Sequence, residues 1–247
     1  MDRILALTRG RFTARTAHSD ADILAAHRLR SRCFRDAQAY DEDAFDSCYH
    51  HVIVEDCASG QVVCCFRILT LDDGGAINRS YSAQYYGLEA LSTYPGRMIE
   101  MGRFCIDPTA SDPDILRVAW AALTRYIDAQ QVGMLFGCSS FAGTDWHCYQ
   151  DAFAMLSERH LAPSCWVPRI KAPKVVRYAR ALIGRKGDPK RAMLKMPPLL
   201  RSYLVMGGWV SDHAVVDTDL NTLHVFTGLE IAAIPPARAR LLRATAA

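Results

Sequence analysis

The chain is 247 residues long, half of them hydrophobic and 22% charged, with a formal net charge of +3. That length can bury a sizeable core as one large domain or two small ones. The composition is that of an ordinary globular chain, and no apolar run reaches the roughly 18 residues a membrane-spanning helix needs. The cysteines number nine, are scattered, and form no Cys-x-x-Cys. Most sit in apolar runs such as VVCCFRIL, where a thiol acts as a small hydrophobe, so a reducing compartment without structural disulfides is expected. Neither the cysteines nor His50 and His51 are spaced as zinc ligands, and no metal is expected. The N-terminal MDRILALTRGRFTAR has no long apolar stretch and no small-residue cleavage site, which predicts mature protein rather than a signal peptide.

In chain order, GRFTARTA at 10–17 alternates and predicts a strand. Ser19 with Asp22 predicts a capping box for the helix DADILAAHRLRSRCF. HHVIVED at 50–56 and QVVCCFRIL at 61–69 predict a hairpin turned at Ser59-Gly60. Residues 72–96 predict a long loop with a helical turn near GLEAL, followed by a strand over 97–106. Asp112-Pro113 is a helix start, and Leu116, Ala119, Trp120, Leu123, Tyr126 and Ile127 recur at helical spacing, predicting a helix over 113–131. GMLFGCSSF predicts a strand over 133–141 and DAFAMLSERHL a helix over 151–161. VVRYARALI predicts a helix followed by a mobile loop after Gly184, and YLVMGGWV and LHVFTGLEI predict two late strands. No internal repeat breaks the chain, so one α+β domain over 1–247 is expected.

Charge is unevenly spread. From Arg169 to Arg201 there are eleven basic residues opposed by Asp188 alone. Such a block either forms a solvated face or attracts an acidic partner or an anionic membrane surface. It has little aromatic interleaving, which argues against nucleic acid.

The stretch EMGR, within the strand at 97–106, poses the functional question. Strand alternation places Glu100 on a face with Met98, Phe104 and Ile106. A carboxylate on such a face is costly unless it is paired or has chemical work. Alternation sends Arg103 to the other face, but a bulge at Met101-Gly102 would bring the two charges to one side. They then form either a buried ion pair or the floor of an active site.

Four motifs occur in order. RLRSRCF holds Arg30 and Phe34, DEDAFD holds Asp43 and Asp46, the strand QVVCCFRIL carries Arg67, and EMGR holds Glu100 and Arg103. This set resembles the acyl-carrier-protein-dependent branch of the GNAT superfamily, which includes acyl-homoserine lactone synthases and ornithine-lipid N-acyltransferases. CYHHVIVED, GCSSF and GGWVSDHAVVDTDLNTLHVF resemble the second group more closely, and the resemblance covers roughly residues 12–230. It implies a GNAT-like α+β acyltransferase fold, with a central mixed sheet flanked by helices. It also implies transfer of a 3-hydroxyacyl chain from acyl carrier protein to the α-amino group of ornithine, giving a lyso-ornithine lipid. No cofactor would be held permanently, because the phosphopantetheine of acyl carrier protein delivers the acyl group. Cytoplasmic placement with peripheral contact at the inner membrane is expected. Glutamine as acceptor, a homoserine lactone synthase using S-adenosylmethionine, and a non-catalytic carrier- or lipid-binding module remain alternatives. The lactone-synthase reading is weakened by AQAY at 37–40, where those enzymes tend to carry a tryptophan.

Two departures bear on the donor. The pyrophosphate loop of acetyl-CoA-using relatives is glycine-rich, whereas DPTASDPDIL holds no glycine. Asp112 and Asp114 stand at the helix start, where a diphosphate would need bare backbone N–H groups.

Amide formation from a thioester needs a base for the ammonium, a donor for the developing oxyanion, and alignment of both reactants. Glu100 is the candidate base, acting directly or through one water; burial makes a carboxylate more basic, which suits that role. Arg30, Arg67 and Arg103 match an acceptor carboxylate bidentately. Asp43 and Asp46 either bind the ornithine side-chain ammonium or organise the N-terminal segment by pairing with those arginines. Ser139 and Ser140 are candidates for the pantetheine or acyl path, as are Phe104, Phe141 and Trp146 for an acyl tunnel, with core packing the alternative. Tyr149 is a minor candidate for protonating the leaving thiolate. Lys186, Lys190 and Arg191 are the candidate docking residues for the acidic carrier protein.

Overall fold

The computed structural model describes residues 5–35 and 40–246, so part of AQAY and the first four residues lie outside the described residues. The chain divides into two compact units. One comprises the chain up to Thr70, Ile99–Val132 and the chain from Pro236; the other comprises Leu71–Met98 and Gly133–Pro235.

In the first unit, β1 (Leu7–Arg9), β2 (Phe12–Thr16), β3 (His50–Asp56), β4 (Gln61–Leu71) and β6 (Met98–Ile106) lie side by side in that order. β1 to β4 are successively antiparallel, with Ala14 opposite Val54 and His51 opposite Arg67. Gly60, at φ +69°, closes the expected hairpin in the left-handed region where glycine is favoured. Helix α1 (Asp20–Phe34) starts at the capping box: Ser19 Oγ accepts from the Asp22 amide while Asp22 accepts from the Ser19 amide. It buries Ala26 and Leu29 against Ile53, Cys65 and Cys105. Helix α2 (Pro113–Gln130) covers the other face, since Tyr126 bonds Thr70, which alternation places opposite Cys65 on β4. Its buried stripe includes Ile115 and Val118, with Leu116 and Trp120 only half-buried, so it is rotated slightly from the expected one. Helix α7 (Pro236–Ala246), beyond the span of the resemblance, is tied to α2 by Arg243 paired with Asp128 at 2.8 Å.

In the second unit, β7 (Met134–Ala142), β12 (Thr222–Glu230), β11 (Ala214–Asp217) and β9 (Val175–Val176) form a successively antiparallel sheet. β10 (Trp209–Val210) also pairs with β12, and β5 (Tyr86–Gly87) pairs with β8 (Arg169–Ile170). Trp209 stacks on Phe226, which stacks on Phe136. A Cβ on Gly228 would lie 2.3 Å from the Trp209 ring, so the glycine of LHVFTG is what lets the tryptophan of GGWV lie on the strand. The loop over 72–96 contains three 3-10 turns besides β5.

Two expectations need correction. The segment after Gly184 is not a loop throughout: helix α5 (Pro189–Lys195) forms there, because Asp188 caps the Arg191 amide and Pro189 takes the first turn. Correspondingly, VVRYARALI splits into β9 and the short helix α4 (Tyr178–Ala181). Nor is YLVMGGWV one strand. Its first residues finish helix α6 (Pro198–Val205), Gly207 reverses the chain at φ +92°, and only Trp209-Val210 is extended. The apolar run hid this boundary, because an aliphatic stretch next to glycine suits a helix end as well as a strand.

Candidate active site

The first unit carries a buried lattice of charges. Arg30, on α1, is 1% exposed and donates from Nε to Asp41 at 2.7 Å and from Nη1 to Asp46 at 2.6 Å. Arg67, on β4, is equally buried and donates to Asp43 at 2.6 and 2.8 Å and to Asp46 at 2.5 Å. Arg103, on β6, reaches Asp43 at 3.0 Å and Asp41 at 3.1 Å. Arg35 closes the group on Asp41 at 3.0 Å. The sequence offered two roles for the aspartates, and here they are paired with the arginines. Asp41 was not among the expected residues, although it is the most deeply buried carboxylate of the set. Its cue was its place two residues before Asp43 in DEDAFD.

These pairings decide the ionisation. Burial alone would raise the carboxyls, but Arg103 and Arg30 hold Asp41 below its usual range, Arg67 does so for Asp43, and Arg30 does so most strongly for Asp46. Burial would likewise lower Arg67, and its bonds to Asp43 keep it raised. Four guanidinium groups thus hold three carboxylates ionised in a place where none of them would be tolerated alone.

The strand irregularity expected at Met101-Gly102 falls at Arg103, whose φ of +52° is in the left-handed region, where a bulky side chain is strained. Its effect is a change of phase along β6. Tyr49 hydrogen-bonds Glu100, and the Arg67 guanidinium lies 4.8 Å from the Tyr49 ring centre, so Glu100 is on the face of Arg67. Beyond Arg103, Phe104 stacks on Phe66 on the opposite face, while Cys105 returns to meet Cys65. The expected grouping of Glu100 with Phe104 is therefore wrong, because the kink reverses the alternation between them. The expected outcome, Glu100 and Arg103 serving one side, is nevertheless reached. Glu100 is 1% exposed.

Tyr49 and His27 were missed, and His51 was considered only for its lack of zinc-ligand spacing. Both histidine rings are buried and place a nitrogen 3.5 Å from an Asp46 carboxylate oxygen. Three metal-ligand types thus converge, with donor atoms within 4.8 Å of one another. A cation there would face the guanidinium groups of Arg30 and Arg67, which already occupy the Asp46 oxygens, so the trio is built as part of the charge lattice. Burial lowers both histidines below their ordinary value.

The sign of the pH dependence follows. Neutral His27 and His51 contribute stability that is complete above the ordinary value of about 6.5 and is lost as pH falls below it. The depressed aspartates add a second loss below about 4. Melting temperature is expected to fall from pH 7.5 to 5.5, and His27→Gln with His51→Gln should flatten that fall; an unchanged slope in the double variant would refute the assignment to these rings.

Phe34 lies 6.0 Å from the Arg103 guanidinium. At the start of α2, Asp112 accepts from the Asp114 amide and Arg117 pairs with Asp114 at 2.6 Å, so the helix end is capped by its own chain. In the second unit Ser139 is buried and accepts from Thr227 at 2.9 Å, whereas Ser140 is exposed. Phe141 packs between Tyr149 and Phe153, and Tyr149 donates to the Ala142 carbonyl at 2.6 Å. Trp146 lies against His147. Arg191 is exposed and reaches Asp151 at 3.2 Å.

Residues 27–121 match the acetyltransferase (GNAT) domain family. The fold is similar to that of an N-acyl amino acid synthase from uncultured soil microbes, with a TM-score of 0.52, 12% identity, and coverage of 91% of this chain and 94% of that one. The chain thus has the GNAT fold. It is 31% identical to an L-ornithine N(alpha)-acyltransferase of Rhodobacter capsulatus across 87% of this chain and 88% of that relative. A second relative of the same name, from Rhizobium meliloti, is 29% identical across 89% of this chain and 80% of its own length. The chain belongs to the L-ornithine N(alpha)-acyltransferase family.

Proposed function

We propose that this enzyme transfers a 3-hydroxyacyl chain from acyl carrier protein to the α-amino group of ornithine, forming a lyso-ornithine lipid. The observation that carries the chemistry is Glu100, a buried carboxylate held by Tyr49 beside the arginine–aspartate lattice. Glu100 takes a proton from the α-ammonium. The amine nitrogen then attacks the thioester carbonyl carbon, the C–N bond forms, the C–S bond breaks, and the departing thiolate of phosphopantetheine takes up the second proton that the nitrogen sheds as the amide forms. The side chains of Arg103 and Asp43 are 9% and 21% exposed. Arg103 meets the acceptor carboxylate and Asp43 the side-chain ammonium, which favours ornithine over the uncharged side chain of glutamine. Arg30, Arg67, Asp46 and Phe34 hold this pair in place.

A carrier-borne donor agrees with the carboxylate-capped start of α2, which offers little to a diphosphate. The acidic carrier protein docks on the basic segment through Lys186, Lys190 and Arg191. Ile183 and Leu194, each 80% exposed among these cations, add peripheral contact with an anionic membrane. Among the described residues no helix is long and apolar enough to cross a membrane.

The test is mass spectrometry on purified protein mixed with 3-hydroxyacyl carrier protein and an equimolar pool of ornithine, glutamine and lysine. Acylated ornithine is the expected product. Acylated glutamine, a lactone in a parallel tube with S-adenosylmethionine, or carrier binding without product would each replace the reading. Charge reversal at Lys186 and Lys190 is expected to raise the KM for carrier protein several-fold; an unchanged KM would move docking elsewhere.

A further inference from the structure

We infer that Tyr49 is a positioning residue for the Glu100 base, a role that rests on the proposed acyl transfer. Its hydroxyl donates to Oε2 of Glu100, and both side chains are buried, at 6% and 1% exposure. The phenol is fixed on several sides. The Arg67 guanidinium covers its ring at 4.8 Å, Phe45 meets it edge-on at 6.2 Å, and its backbone amide lies 3.5 Å from the Asp46 carbonyl. A donor that cannot swing away fixes the rotation of the carboxylate and commits one of its oxygens. Each turnover needs this, because the base must face the ammonium in a defined orientation.

The position of Tyr49 in the chain explains how the hydroxyl is aimed. Asp46–Cys48 form a 3-10 turn, Tyr49 follows it in extended conformation, and β3 begins at the next residue. Asp46, held by Arg30 and Arg67, anchors that turn. The lattice thus sets Tyr49, and Tyr49 sets Glu100. The ionisable groups around the phenol are Arg67 over its ring, Asp43 and Asp46 bound to Arg67, Arg103 bound to Asp43, and His51 and His27 against Asp46.

Tyr49→Phe keeps the ring and its contacts and removes only the hydroxyl. The expected result is a kcat lowered about 10- to 100-fold with KM for ornithine within about twofold. A second readout does not depend on the acceptor: in 13C-glutamate NMR at one fixed pH, the Glu100 carboxyl signal, assigned by its absence in Glu100→Gln, should move in Tyr49→Phe as its hydrogen bond is lost. An unmoved NMR signal, or an unchanged kcat, overturns the inference. If wild-type protein acylates no ornithine, the reaction assignment fails while the NMR comparison still decides the role of Tyr49.

Discussion

Replacing Arg30 with methionine is expected to cost about 3–5 kcal/mol of stability, the usual penalty for breaking a buried ion pair from one side. Methionine fills most of the volume, so the loss is electrostatic. Asp41, fully buried, would lose its 2.7 Å partner, and Asp46 would lose two bonds. With Asp43, three ionised carboxylates would then share Arg67, Arg103 and Arg35. Denaturant unfolding followed by circular dichroism measures this, with Arg117→Met as control. Arg117 also pairs with an aspartate at 2.6 Å, but its side chain is 61% exposed, where such pairs contribute little. Equal losses in the two variants would show that the lattice is not what holds this unit. The same substitution tests function, since a displaced Asp46 turn carries Tyr49 with it.

Glu100→Gln is expected to lower kcat about 10²- to 10⁴-fold, the range for removing a general base. The amide oxygen of glutamine can still accept from Tyr49, so the fold, the melting temperature and the KM for both substrates should change little. Single-turnover kinetics with preloaded carrier protein isolates the chemical step. A variant with wild-type kcat would require another base, and one with raised KM and normal kcat would make Glu100 a binding residue. Against Tyr49→Phe the comparison is graded: losing the base costs more than loosening it, and the double change should cost little beyond Glu100→Gln alone.

Much of the frame was legible in the linear chain. The Ser19–Asp22 capping box, the Asp112-Pro113 start, the hairpin at Gly60 and the long strand ending at Glu230 lie where local pattern put them, because each depends on neighbours a few residues away. The ordered charges of four short motifs likewise marked the residues that converge. What local pattern missed shared one cause. Helix α5 and the end of α6 are short amphipathic turns whose apolar spacing does not distinguish helix from strand.

The sequence by itself determined the order of the elements outside residues 175–210, the acyltransferase class through its spaced motifs, and Glu100 and Arg103 as the charges of interest. Only the tertiary structure decided what those charges meet. Tyr49 and Glu100 are 51 positions apart, and Asp43 and Arg103 are 60 apart. No local periodicity encodes which of several arginines a given aspartate will find. That choice follows from burial, which forces every charge in the lattice to have a partner, and from the kink at Arg103, which puts Glu100 and the arginines on one face of the strand.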